Sequence, residues 1–192
     1  QWFPKPARLR NDGNWSSHPY HGQGEFDADF ARYELSVDVP ADHVVAAPGK
    51  RLASRREADR KVEHYLLEPA HDIAWAAGPS LRERQLRHGG VEIRLYHDRL
   101  FAPALDEQMR AITRGLHLFS SWFGPYPYDA LAVLLKPSHA GGAAGMEYPG
   151  FFVSQSPWWP VTWGGDPSAT RTTAHELAHQ WFQGMVANDE VT

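Results

Sequence analysis

The chain has 192 residues, a formal net charge of -4 at pH 7, 11 His and no Cys. That length holds one sizeable core or parts of two domains, and the mildly acidic balance argues against nucleic acid as the main partner. Without Cys there are no disulfides or thiolate metal sites, so metal chemistry falls to His and carboxylates, and no apolar run reaches the roughly 18 residues of a membrane-spanning segment.

Residues 1–24 are rich in Gly, Pro, Trp, His and Asn without period and read as loop; His18 and His21 there carry no assigned role. From Phe30 to Val39 apolar and polar residues alternate, which predicts a half-buried strand closed by Pro40. A second short strand is expected over His43–Ala47, ended by Pro48-Gly49. The basic pairs Lys50-Arg51, Arg55-Arg56 and Arg60-Lys61 are interrupted by Glu57 and Asp59, and the stretch Arg51–Arg60 reads as a solvated polar insertion. Further strands are expected over Val62–Glu68, Ile73–Ala77 and Val91–Tyr96; the last sets Val91, Ile93 and Leu95 against Glu92, Arg94 and Tyr96.

The second half changes character. Leu105, Met109, Ile112, Leu116, Phe119 and Phe123 recur at helical spacing, predicting a helix over Pro103–Phe123 that Gly124-Pro125-Tyr126-Pro127 stops. Leu131–Leu135 reads as a buried strand, Ser138–Gly145 as a small-residue loop containing His139, and Ala144–Tyr148 and Phe151–Val153 as short strands around Pro149-Gly150. The aromatic loop Trp158–Gly165, with Trp158, Trp159 and Trp163, reads as core packing or the lining of a side-chain pocket. Asp166-Pro167 has the form of an N-cap followed by proline at the first helical position, and Ala169–Val186, without proline, is expected to be one long helix buried on the face of Leu177, Trp181 and Met185. The fold class expected is α+β, with residues 1–90 as part of a β-rich N-terminal domain and residues 91–192 as the start of a second. The chain begins at Gln1 and is expected to be a piece cut from a longer protein.

The most informative stretch lies in that last helix. His175-Glu176-Leu177-Ala178-His179 spells H-E-x-x-H. Two residues four apart on a helix lie about 40° apart around its axis, so both imidazoles leave one face and can hold one zinc ion. Glu176 can reach water in the open coordination position, the arrangement of a zinc-dependent peptidase.

The extended stretch His175-Glu176-Leu177-Ala178-His179-Gln180-Trp181-Phe182 resembles the zinc helix of metallopeptidases of the aminopeptidase N type, gluzincins with a thermolysin-like catalytic domain. Ala144-Gly145-Met146-Glu147-Tyr148, about 30 residues upstream, resembles that family's G-x-M-E-N substrate strand, with Ala144 in place of the first Gly and Tyr148 in place of Asn. Phe123-Gly124-Pro125-Tyr126-Pro127-Tyr128 resembles the family's turn into its first catalytic-domain strand, and Glu25–Phe30 and His71–Trp75 resemble segments of its β-rich domain.

The resemblance implies a Zn2+ ion held by His175 and His179. The third ligand is a Glu roughly nineteen residues past the second His, hence beyond Thr192. It implies Glu176 as the catalytic base, Glu147 as anchor for the substrate's free α-ammonium, and backbone pairing of Gly145 and Met146 with peptide substrates. Residues 1–192 alone are then expected to bind zinc weakly and to turn over little substrate. Two other readings stand beside this one: a zinc-binding but catalytically silent module, and an endopeptidase on the same fold.

Overall fold

The computed structural model describes residues 2–19, 27–99, 105–136, 140–156 and 167–187. The first half is built from β1 (Ala31–Pro40), β2 (Val44–Ala46), β3 (Lys50–Glu57), β4 (Arg60–Ala70) and β5 (Ala76–Gly78). β1, β4 and β3 form an antiparallel sheet in the order β1-β4-β3, and β2 pairs with β5. The remaining elements are β6 (Leu81–His88), β7 (Val91–Asp98), α1 (Leu105–Phe123), β8 (Ala130–Lys136), β9 (Met146–Tyr148), β10 (Phe151–Gln155) and α2 (Pro167–Ala178). Their sheet has the order β6-β7-β8-β10-β9, with β7, β8 and β10 parallel and antiparallel strands at both edges. Mixed sheets with packed helices are the α+β class expected.

The strands with an apolar face lie where alternation puts them. β1 buries Leu35, Val37 and Val39, and β7 and β8, covered on both faces, bury nearly every residue. Two strands depart from expectation. The stretch Arg51–Arg60, read as a loop, is mostly strand β3, and β6 has no counterpart in the sequence reading. Both are edge strands with no buried side chain, so no apolar alternation marks them; backbone pairing and ion pairs such as Arg51 with Glu83 hold them. The expected strand Ile73–Ala77 contracts to Ala76–Gly78.

The division expected between residues 90 and 91 falls in the turn of the β6–β7 hairpin, where Gly89 (φ 57°) and Gly90 (φ 87°) supply the left-handed backbone of a tight two-residue connection. One continuous core runs across it, from Leu35, Tyr65 and Leu67 to Ile93, Ile112 and Leu177.

α1 and α2 cross at Gly115, where a Cβ would lie 2.5 Å from Leu177 Cδ2. Beside the crossing is a buried polar relay. Thr173 Oγ1 donates to Gln108 Oε1 at 2.5 Å and therefore accepts from Ser154 Oγ at 2.8 Å. It ties α2 to α1 and to β10, and all three side chains are buried. Thr173→Val keeps the shape but leaves two buried groups short of a partner, and is expected to cost about 1–3 kcal/mol of stability; urea unfolding of variant and parent measures it.

Candidate active site

α2 opens on Pro167, as expected; Asp166, the proposed cap, lies outside the described residues, as do His21, His139, Trp158, Trp159 and Trp163. The long helix expected to reach Val186 instead ends at Ala178. Gln180 N–H and Trp181 N–H bond three residues back, to Leu177 O (3.1 Å) and Ala178 O (3.0 Å), and Gly184 N–H bonds five back, to His179 O (2.8 Å). Gln183 takes φ 90°, and Gly184 lies so close to Gln180 O that a Cβ would stand 2.6 Å from it. This tight turn keeps Leu177 and Trp181 in the core, with Trp181 Nε1–H bonded to Gly124 O at 2.9 Å, and turns Phe182 and Met185 out into solvent.

His179 is thus the first residue past the helix, yet its N–H still bonds His175 O at 3.3 Å, so the helical spacing of the pair survives. The two rings stand at 85° with Nε2 atoms 3.2 Å apart. Two nitrogens each ~2.0–2.1 Å from a tetrahedral zinc would be separated by about 3.3 Å, so the donor pair fits that metal. His179 Nδ1 lies 3.2 Å from Phe182 O. A proton on Nδ1 makes that bond and leaves the Nε2 lone pair for a metal, the support a ligating His needs. Among the described residues no third His, Asp or Glu joins the pair.

Glu176 leaves α2 on the inward side and is 5% exposed. Its Oε2 has no hydrogen-bond partner among the described residues. Burial, then the charge of Glu147 and a hydrogen bond between the two side chains, push its pKa up to about 8. Gly145 makes this placement possible. A Cβ there would stand 2.0 Å from Glu176 Oε1 and 2.3 Å from Cδ, so the Glu176 carboxyl occupies the volume that any other residue's side chain would need. The sequence reading had Gly145 as a backbone contact for substrate; its relation to Glu176, 31 positions on, has no sequence signature.

Glu147 sits mid-β9, opposite Phe152 of β10, with Met146 opposite Val153. β9 is the last strand of its sheet, so among the described residues its outer edge has no strand partner. Glu147, Met146 and Tyr148 line a small pocket together with Lys5, His71 and Asp72 from the first half of the chain. Lys5 Nζ pairs with Asp72 Oδ2 at 2.9 Å, both side chains under 10% exposed, and Asp72 Oδ1 accepts Ile73 N–H at 2.7 Å. Neither Lys5 nor Asp72 stood out in the sequence.

Another residue that sequence reasoning passed over is Gln180, fully buried one position after His179. Its Oε1 accepts Gly150 N–H at 2.8 Å and its Nε2 donates to Tyr148 O at 3.1 Å. The structure therefore makes two groups, the imidazole pair of His175 and His179 and the cluster of Glu176, Glu147 and Gly145, joined by the step from His175 to Glu176 along α2.

No family model matches the chain. The structure is similar to that of a mutant M1 zinc metallopeptidase from Deinococcus radiodurans, with a TM-score of 0.65 and 23% sequence identity. The match covers 84% of this chain and 37% of that one. Across the matched part the chain has the α+β fold of an M1 zinc metallopeptidase, and it spans little more than a third of that structure's length.

Proposed function

We propose that the chain belongs to a zinc-dependent aminopeptidase that removes N-terminal residues from peptides. The observation that carries this reading is the convergence of the two Nε2 atoms, 3.2 Å apart, with the residue that follows His175, Glu176, holding a buried carboxyl against Glu147. His175 and His179 would hold the metal, together with a third ligand expected beyond Thr192. When bound, zinc supplies a Lewis acid at the scissile carbonyl and lowers the pKa of water to the region of ~7.

The chain's own groups do the rest. Glu176 accepts a proton from the attacking water and delivers it to the departing amine. In the metal-free chain, burial beside a second carboxylate raises its proton affinity above that of an ordinary carboxylate. Glu147 receives the substrate's α-ammonium through a charge-assisted hydrogen bond. The outer edge of β9, which has no strand partner among the described residues, and Gly145 just before it suit an extended peptide, which would add there as one more strand. A fixed carboxylate that pairs with the free α-ammonium favours an exopeptidase over an endopeptidase.

The test is hydrolysis of free and N-acetylated aminoacyl substrates by the full-length polypeptide that carries these residues, with and without a zinc chelator. Cleavage of the free-amine substrate alone, abolished by the chelator, is expected. Glu147→Gln removes a charged hydrogen bond worth about 1.5–3 kcal/mol and should raise KM for the free-amine substrate by roughly 10- to 100-fold. An unchanged KM would remove Glu147 from amine recognition. Zinc binding without cleavage of either substrate would favour a silent module.

A further inference from the structure

We infer that Gln180 is a positioning residue for substrate-amine recognition: its carboxamide fixes the β9–β10 turn, and with it Glu147, at a set distance from the His175–His179 pair. The inference rests on the reading of Glu147 as the amine anchor. Gln180 follows His179 directly, so its backbone moves with the metal-holding residues. Its side chain is fully buried and makes two bonds to one turn, accepting from Gly150 N–H (2.8 Å) and donating to Tyr148 O (3.1 Å). Tyr148 is the neighbour of Glu147 in the chain.

β9 has three residues, and among the described residues β10 is its one strand partner. Pro149 has no N–H to contribute, and Gly150 turns through φ 67°. A primary amide offers a donor and an acceptor side by side at every pH. An ionised Glu keeps only the acceptor, Met keeps neither, and Asn is one methylene short.

A peptide held at its ammonium by Glu147 and at its carbonyl near the His pair spans a fixed distance. A displacement of about 1 Å between the two anchors degrades such two-point binding strongly. A core amide that only adds stability would lower everything together; a positioning amide changes the preference for a free amine.

The experiment uses the full-length, zinc-loaded polypeptide and inhibition by an amino-acid hydroxamate and by its N-acetyl derivative, which share the metal-binding group and differ in the amine. Zinc content and thermal unfolding are measured alongside. The parent is expected to prefer the free amine, and Glu147→Gln to erase that preference. Gln180→Met should retain zinc and lower the preference about tenfold, through weaker binding of the free-amine compound alone. Gln180→Glu, which keeps the bond from Gly150, should fall between parent and Met variant, and it decides the matter if the Met variant does not fold. A wild-type preference ratio in the folded variants, or an equal loss for both inhibitors, overturns the role of Gln180 and leaves that of Glu147 standing. If the parent shows no preference, or Glu147→Gln keeps it, the amine-anchor reading fails and the inference falls with it.

Discussion

Glu176→Gln is expected to abolish most hydrolysis and, at the same time, to stabilise the metal-free fold. Gln has the shape of Glu but cannot take a proton from water, and loss of a general base typically lowers turnover by about 10²–10⁴-fold. The stability gain comes from the site's electrostatics. Glu176 is buried, one of its oxygens lacks a hydrogen-bond partner among the described residues, and Glu147 lies against it. Its pKa rises from 4.5 to about 8 on folding, so the folded chain holds a proton that the unfolded chain releases. The contribution of this group is therefore fully present below about pH 4.5 and is lost as pH climbs through about 8. Chelated wild-type protein should melt at progressively lower temperature across that window, and the Gln variant should not share the decline. Thermal melts of both proteins at pH 5 and pH 8.5 give the measurement; a gap that fails to widen at the higher pH would mean that Glu176 is not the strained group. Kinetics on the full-length polypeptide supply the other half, since a variant with parental turnover cannot have lost its base.

What was legible in the sequence follows from how local each feature is. The His pair and Glu176 could be read because a helix turns a four-residue spacing into a shared face, and β1, β4 and β7 because a half- or fully buried strand writes its burial into apolar residues. β3 and β6 could not, since edge strands with solvated side chains have backbone pairing as their only signature. The early end of α2 depends on the left-handed Gln183 and on the contact of Gly184 with Gln180 O, neither of which helical periodicity registers. Gln180 itself looks like an ordinary polar residue until the turn of Tyr148 and Gly150 is folded against it, 30 or more positions away in the chain. The ion pair of Lys5 and Asp72 spans 67 positions and lines the pocket beside Glu147 from the opposite end of the sequence. The candidate residues could thus be picked out by type and spacing, while the packing that holds them in place depends on long-range contacts.

Gly145→Ala should separate placement of the base from stability of the fold. The three atoms nearest to a Cβ at residue 145 all belong to the Glu176 side chain, Oε1 at 2.0 Å, Cδ at 2.3 Å and Cγ at 2.7 Å. The obstacle is the end of a flexible side chain, which can swing away, and Gly145 is not among the glycines with positive φ, so alanine suits its backbone. The fold is therefore expected to survive within about 1 kcal/mol, with the carboxyl displaced by more than the ~1 Å that costs on the order of 10²-fold in rate. If Gly145 served only to pair its backbone with substrate, alanine would pair equally well and turnover would barely change. The double variant settles whether the effect passes through Glu176. Once Glu176→Gln has removed the base there is no proton acceptor left to displace, so adding Gly145→Ala should lower the remaining activity by far less than it lowers that of the parent. Full additivity of the two losses would place the action of Gly145 elsewhere in the site.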